Sequence, residues 1–540
     1  MSAARRDDTR EWFIDHAHEP SADDHEGIRR IGIIGGGTAG YLTALALKAR
    51  RPWLDVTLVE SSGIPIIGVG EATVPSLVVF LHHYLGIDPD ELYDKVRPTW
   101  KLGIKFEWGP DPEGFVAPFD WDSDSIGVVG SLRSRGNIND FTLQALLMRA
   151  DRTPIFANGG RPESLMKHLR YAYHLDNARF VTFLSDLARR RGVRHIDARI
   201  AKVIRRSGDW IDSIVTEDGR ELRFDFYVDC SGFRSLLLGK TLETPFLSYA
   251  DSLFTDSAVT GNLPHHGHLK PYTTATTMSA GWCWSIPTPE SDHLGYVYSS
   301  SALSDEEAAA ELATRFPGIS EPRIVRFRSG RHEQAWRGNV MGIGNSYAFV
   351  EPLESSGIYM ITLGILGLLG GLPGSWREPA AREVVNAGLA RKWDALRWFL
   401  AIHYRFNTRL DTPFWKTANH ETDVSGIQHL LDLYAAGAPL RQRDAVVRDF
   451  AEQAMPTFYG IAGVDTILLG QHVRTSLLPQ SISMEEWHER KAAAELLVKR
   501  ALPLAEALDV IRATPEIHQA ILEDEDSWAG RGRSFGHGFV

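Results

Sequence analysis

Apolar and polar positions alternate along this chain in a recurring cadence of strand, small-residue turn and helix. The run Ile31 to Ile34 reads as a short strand, Gly35 to Gly40 as a tight turn, and Tyr41 to Ala49 as a helix. Val56 to Glu60 is a second strand. The cadence returns near position 225, where FDFYVDCSGFRS runs into Asp229-Cys230-Ser231-Gly232, and again in NVMGIGNSYAFVEPLESSG. That last stretch launches the most hydrophobic segment, Ile358 to Leu372, a predicted helix holding four glycines, with Ser355 as its N-cap. Trp100 to Trp108 alternates as a strand, and a long irregular insert follows to about Pro162. Helical spacing of Phe180, Leu184 and Leu187 predicts an amphipathic helix over 175–191. Thr273 to Ala280 leads as a strand into Gly281 to Pro287. Beyond 375 the pattern is mainly helical, over 379–405, 426–436, 443–455 and 484–511, with a glycine-rich end at 530–540.

Composition narrows the class. With 540 residues, 43% of them hydrophobic, the chain can bury a large core and form two or three modules. A net charge of −11 argues against a nucleic-acid partner, and no basic run marks a membrane surface. Cys230 and Cys283 make no disulfide framework, and no His/Cys spacing suggests a metal. Residues 1–27 read as a flexible tail without the apolar core of a signal peptide, and Ile358 to Leu372 is shorter than the ~20 residues of a bilayer span. The expectation is a soluble, cytoplasmic protein; the sequence is compatible with a homodimer.

The first candidate chemistry is the turn. Gly35-x-Gly37-x-x-Gly40 has a strand before it, a helix after it, and Glu60 at the end of the next strand. Such glycines let a pyrophosphate approach the helix terminus, and the acid accepts hydrogen bonds from a ribose. No second GxGxxG appears, so a nicotinamide domain is not evident. The second candidate is Phe349 to Gly357, where a helix N-terminus offers unpaired amides to an anion with Glu354 beside it. The whole cadence resembles the α/β, Rossmann-like FAD module of the hydroxybenzoate hydroxylase type of flavin monooxygenase, with Asn345 where many members carry Asp. The expected division is a tail at 1–27, an FAD-binding module at 28–375 and a mostly helical substrate-binding module at 376–540, to which the 100–165 insert contributes.

Trp282 and Trp284, two apart on a strand, face the same way. The motif they belong to, GWCWSIP, is the WxWxIP hallmark of flavin-dependent tryptophan halogenases. With it come GGGTAG, GVGEAT (Gly68 to Thr73), YHLD (Tyr173 to Asp176), DCSGFR (Asp229 to Arg234), Phe349-x-x-Pro352-x-x-Ser355-x-Gly357 and DTPFW (Asp411 to Trp415). This resemblance implies an enzyme that uses reduced FAD, O2 and chloride or bromide to make hypohalous acid, and that depends on a separate NAD(P)H–flavin reductase. It places FAD against Gly35, Gly37, Thr38, Ala39, Gly40, Glu60, Glu71, Ala72, Ile200, Gly344 and Phe349, and halide at Ser356 and Gly357. The catalytic lysine matches Lys101 and the catalytic glutamate Glu354, with Glu351 its rival in the same motif. The lysine acts through a hydrogen bond to the oxidant or through a chloramine. Phe119, Trp282 and Trp284 form walls. By periodicity alone, Lys101 faces water on a half-buried strand.

The chain departs from the free-tryptophan members in two places. RQRDAVVRDFAEQAMPTFYGIAGV lacks their late Tyr-Tyr…Glu…Phe-Trp clamp, and Phe115-Val116-Ala117-Pro118-Phe119 has alanine where they carry a histidine. Without charge-assisted bonds to a zwitterion, free tryptophan binds poorly, and lost bulk leaves room for a larger ligand. The overall look resembles the lanthipeptide tryptophan halogenases. The expected substrate is therefore an indole within something larger, such as a peptide of a biosynthetic pathway. Free tryptophan, small indoles or phenols, an aromatic hydroxylase and a non-catalytic flavin-binding partner are the alternatives.

Overall fold

The computed structural model describes residues 27–64, 70–120, 138–157, 162–206, 208–265, 267–372, 380–476 and 483–530. Most of the expected tail, part of the insert, Gly68 and Val69 of GVGEAT and almost all of the glycine-rich end lie outside these residues.

Arg30–Ile34 lies in the middle of a sheet with both its faces covered: Ile31 and Ile33 are buried on one side and Ile34 on the other. Asp55–Glu60 and Phe226–Asp229 flank it in parallel, with Ile31 opposite both Val56 and Phe226. Arg194–Asp197 and Val340–Gly342 extend the parallel array, and Trp336–Arg337 closes one edge antiparallel. The helix Thr38–Arg50 packs against Asn177–Arg190 on one side and Gly357–Gly371 on the other. Asn177–Arg190 starts where the Asp176 carboxylate accepts the Arg179 amide at 2.9 Å, two residues inside the predicted limit.

A second, seven-stranded sheet is mainly antiparallel and carries the tryptophan pair. Gly281–Pro287 lies between Thr273–Met278 and Asp292–Tyr298, and Trp284 sits opposite Gly295. A Cβ on Gly295 would lie 2.0 Å from the Trp284 ring, so the glycine makes room for the indole. Gly103–Glu107 joins this sheet parallel to Thr273–Met278, and Phe115–Pro118 forms its edge.

The predicted strand from Trp100 to Trp108 is two strands. Thr99–Lys101 pairs with Ala172–Leu175 in a small separate sheet that also holds Glu71–Ala72. The break is at Leu102, whose amide donates to the Pro271 carbonyl and whose carbonyl accepts the Phe119 amide. Alternation therefore resets there, and Lys101 turns inward. The insert is less irregular than expected, holding Phe115–Pro118 and the helix Leu143–Arg149.

In the last third, Ala380–Phe406 is one long helix. The predicted 484–511 helix is interrupted before Leu504 by Pro503, which lacks an amide to continue it. Sequence periodicity missed Pro413–Glu421 and Gly460–Gly470. Among the described residues, no helix is long and apolar enough to cross a membrane.

The first turn of the parallel sheet provides a direct test. Gly35 has φ +115°, and a Cβ there would lie 2.3 Å from the Cys230 carbonyl oxygen. Gly35→Ala should cost ~2 kcal/mol or more in urea unfolding. A change within ~0.5 kcal/mol would contradict this packing.

Candidate active site

The glycine turn brings most of the predicted FAD residues to one place. A Cβ on Gly40 would strike the Gly35 carbonyl and one on Gly36 the Glu60 carboxylate, whereas one on Gly37 would meet open space. Gly37 is also the N-cap of Thr38–Arg50, whose first amides point into that space. Glu60 accepts from Tyr41 Oη at 2.5 Å and from His195 Nε2 at 2.6 Å through one oxygen, Oε1. Gly344 has φ +71°, and a Cβ there would lie 3.1 Å from Ala39 Cβ, so the late loop runs close to the first helix terminus. Ile200 begins a strand just past Ala198, whose amide donates to the Glu60 carbonyl. Glu71 lies on the small sheet; burial raises its carboxyl to about 7, opposed by the Asn177 amide. Its neighbour Ala72 is buried opposite His174. Phe349 stands edgewise between Phe233 and Phe327. The open side of Gly37 at the helix terminus, the nearby Glu60 carboxylate and close backbone packing fit a dinucleotide such as FAD.

The motif Phe349 to Gly357 differs in detail from expectation. Ser355 is not the N-cap. It adopts φ +55°, and Ser356 precedes the first helical residue, Gly357, without a side-chain cap bond. The left-handed turn sends Ser355 Oγ toward Lys101, whose Nζ donates to it at 2.6 Å and to the Thr73 carbonyl at 3.1 Å. Lys101 is fully buried rather than facing water, because the break at Leu102 moved it into the small sheet. Its ammonium lies 5.2 Å from the centre of the Phe119 ring. Burial lowers Lys101 to about 7, and the nearby Glu354 charge opposes that fall. His174, two residues along the neighbouring strand from Ala172, the partner of Lys101, is held neutral by burial and by Lys101.

The two glutamates of the motif are both buried and differently satisfied. Glu351 accepts at Oε1 from Tyr404 Oη and from Trp282 Nε1 at 3.2 Å, and at Oε2 from Thr255. Burial raises its carboxyl, and those three donors oppose the rise. Glu354 meets His403 Nε2 through Oε1 at 2.7 Å, while Oε2 has no hydrogen-bond partner among the described residues. Trp282 therefore reaches the motif through Glu351, and its ring lies 6.0 Å from that of Trp284. Gly357 faces open space at the helix terminus.

An aromatic wall borders this pair. Phe458 stands edgewise to Phe119 and Tyr359, and Tyr459 stacks on Phe399 at 5.4 Å. Tyr459 Oη donates to the Glu354 carbonyl at 2.5 Å. His403, Tyr404, Tyr459 and Thr255 escaped the sequence reading; a histidine inside the apolar run FLAIHYRF was the one available signal.

A glycine turn that fits a dinucleotide, together with a buried lysine and carboxylate in the same chain, points to a flavin-dependent oxidoreductase of the halogenase class. The tryptophan halogenase family model matches residues 30–479, and the chain belongs to that family. Tryptophan 7-halogenase RebH of Lentzea aerocolonigenes is 34% identical over 443 residues, spanning 76% of this chain and 82% of that protein. The crystal structure of MibH, a lanthipeptide tryptophan 5-halogenase, is 63% identical with a TM-score of 0.92, covering 95% of this chain and 99% of that one. Tryptophan 6-halogenase SttH from Streptomyces toxytricini superposes with a TM-score of 0.80 at 31% identity, covering 90% and 100%. The cofactors are accordingly reduced FAD, O2 and halide.

The low Lys101 value has a stability signature. An unfolded lysine keeps its proton to about 10.5, whereas the buried one releases it near 7. Between those limits the unfolded chain binds more protons, so stability rises with pH. The melting-temperature difference between Lys101→Met and wild type should therefore move in favour of wild type from about pH 6.5 to about pH 9. A pH-independent difference would show that Lys101 titrates normally.

Proposed function

We propose that this protein halogenates the indole ring of a tryptophan held within a peptide, with Lys101 and Glu354 as its catalytic residues. The similarity to MibH over nearly the whole of both chains carries the substrate class. The local chemistry agrees with it. In the stretch that replaces the free-tryptophan clamp, Asp444 caps a helix at Val446 and Glu452 accepts the Ile461 amide. Each of these carboxylates is engaged with backbone through one oxygen. Phe119, Tyr359, Phe458 and Tyr459 supply apolar and aromatic surface for an indole.

FAD would be held by the Gly35–Gly40 turn, Glu60, Ala39, Gly344 and the Phe349 segment, and when bound and reduced it supplies, with O2 and halide, a hypohalous acid. A halide belongs at the Ser356 and Gly357 amides, where the helix terminus is positive and open. Lys101 spends two of its three N–H bonds on Thr73 and Ser355, which aims the third. That proton donates to the oxygen of the hypohalous acid and makes its halogen more electrophilic; a chloramine at the same Nζ is the other route. Glu354 Oε2, buried and without a partner, faces the positive charge that develops on the ring and accepts its proton. Glu351 lacks that freedom, since both its oxygens are occupied. Trp282 and Trp284 wall the flavin side. A separate NAD(P)H–flavin reductase delivers the reduced cofactor.

Competition decides the substrate. With reduced FAD and chloride, a tryptophan-containing peptide should be chlorinated at least about tenfold more efficiently than free tryptophan. Lys101→Ala and Glu354→Gln should each lower turnover by about 100-fold or more while the proteins remain folded. Preference for free tryptophan would overturn the peptide assignment, and wild-type turnover in either variant would overturn that residue's role.

A further inference from the structure

His403 lies in the last turn of Ala380–Phe406 with both ring nitrogens against oxygen. Nδ1 is 2.9 Å from the Phe399 carbonyl and Nε2 is 2.7 Å from Glu354 Oε1. A carbonyl oxygen only accepts, so Nδ1 carries a hydrogen. The second contact then needs a proton of its own, because two lone pairs at that distance repel. Either His403 is an imidazolium beside a carboxylate, or a neutral imidazole accepts from a protonated Glu354.

The surroundings favour the first arrangement. Three rings, Phe106, Trp108 and Phe399, stand around the imidazole with centroids 5.2 to 6.1 Å away. These rings exclude water from the pair, and in such a low-dielectric setting the attraction between a cation and a carboxylate 2.7 Å apart is strengthened. Imidazole is also intrinsically the stronger base of the two. The other titratable groups around the pair are Lys101 from the small sheet, with His174 acting on it; Glu351 from the same motif, bonded to Tyr404 of the same helix; and Tyr459, at the start of Gly460–Gly470, which donates to the Glu354 carbonyl. Of these, His174 is neutral and Glu351 is satisfied by its own three donors.

We propose that His403 is a positioning residue: as an imidazolium locked by the Phe399 carbonyl, it keeps Glu354 ionised inside the protein and leaves Oε2 free for the substrate. This rests on Glu354 being the base. When the halogen-bearing ring carbon loses its hydrogen, the C–H electron pair returns to the ring and the proton bonds to Oε2. His403 keeps its own two protons throughout. Without it, a buried carboxyl beside an aromatic wall would take up a proton at rest, and the reaction would have no acceptor.

Nitrogen-15 NMR of the flavin-free, substrate-free protein labelled at histidine reads the state directly, with His403→Gln assigning the signal. At about pH 7.5, both nitrogens of His403 should be protonated in wild type and only Nδ1 in Glu354→Gln. A bare Nε2 in wild type overturns the proposal, whether or not the enzyme turns over. In the loaded enzyme, His403→Gln still donates to Oε1 but carries no charge. It should lower kcat about tenfold or more with little change in KM and move the acidic limb of the pH profile upward. An unchanged kcat and an unchanged limb also overturn it. Loss of halogenation in every protein, wild type included, would instead count against the proposed function and leave the NMR result standing.

Discussion

A lysine side chain with no access to water is the constraint around which this molecule is arranged. Taking an ammonium out of water is costly unless acceptors and opposite charge replace the solvent, and Lys101 receives a carbonyl, a hydroxyl oxygen and the field of Glu354 in return. The compensation is incomplete, as its fall to about 7 records. A lysine poised near neutrality can serve as an acid or as a nucleophile, and structural lysines seldom need that freedom.

Three remote segments meet to create that environment. The small sheet brings Lys101 beside Thr73; the late motif brings Ser355 and Glu354; the long helix after residue 380 brings His403 and Tyr404. The Ser355 turn matters most, since its left-handed backbone lets one residue link the lysine to the start of the apolar helix. Backbone conformations of this kind are expensive and persist where surrounding contacts over-determine them. The same nine-residue motif ties Trp282 to Tyr404 through Glu351, so hydrogen bonds link the tryptophan strand and the long helix to the segment that carries Glu354.

Much of this was legible in the sequence because it rests on local rules. The Gly35–Gly40 turn, its flanking strands and Glu60 follow from short-range geometry; that Gly344 lies close to Ala39 was suggested only by the family resemblance. Trp282 and Trp284 shared a face for the same reason. What failed was decided by contacts distant in the chain. Alternation placed Lys101 toward solvent because nothing nearby announces that Leu102 bonds to Pro271 and Phe119. Ser355 looked like an N-cap because its side-chain partner lies more than two hundred residues away. His403 was hidden in a helix whose spacing gave no reason to distinguish it from core.

The family assignment fixes a halogenating oxidoreductase, and the residue roles proposed here turn on where the oxidant goes after it forms. The most direct measurement is high-resolution mass spectrometry of a tryptophan-containing peptide incubated with the protein, reduced FAD, O2 and chloride, comparing wild type with Lys101→Ala. The account predicts a product with the chlorine isotope pattern in wild type and none in the variant. A product that gains only an oxygen atom, or equal chlorination by both proteins, would contradict a route through the buried lysine.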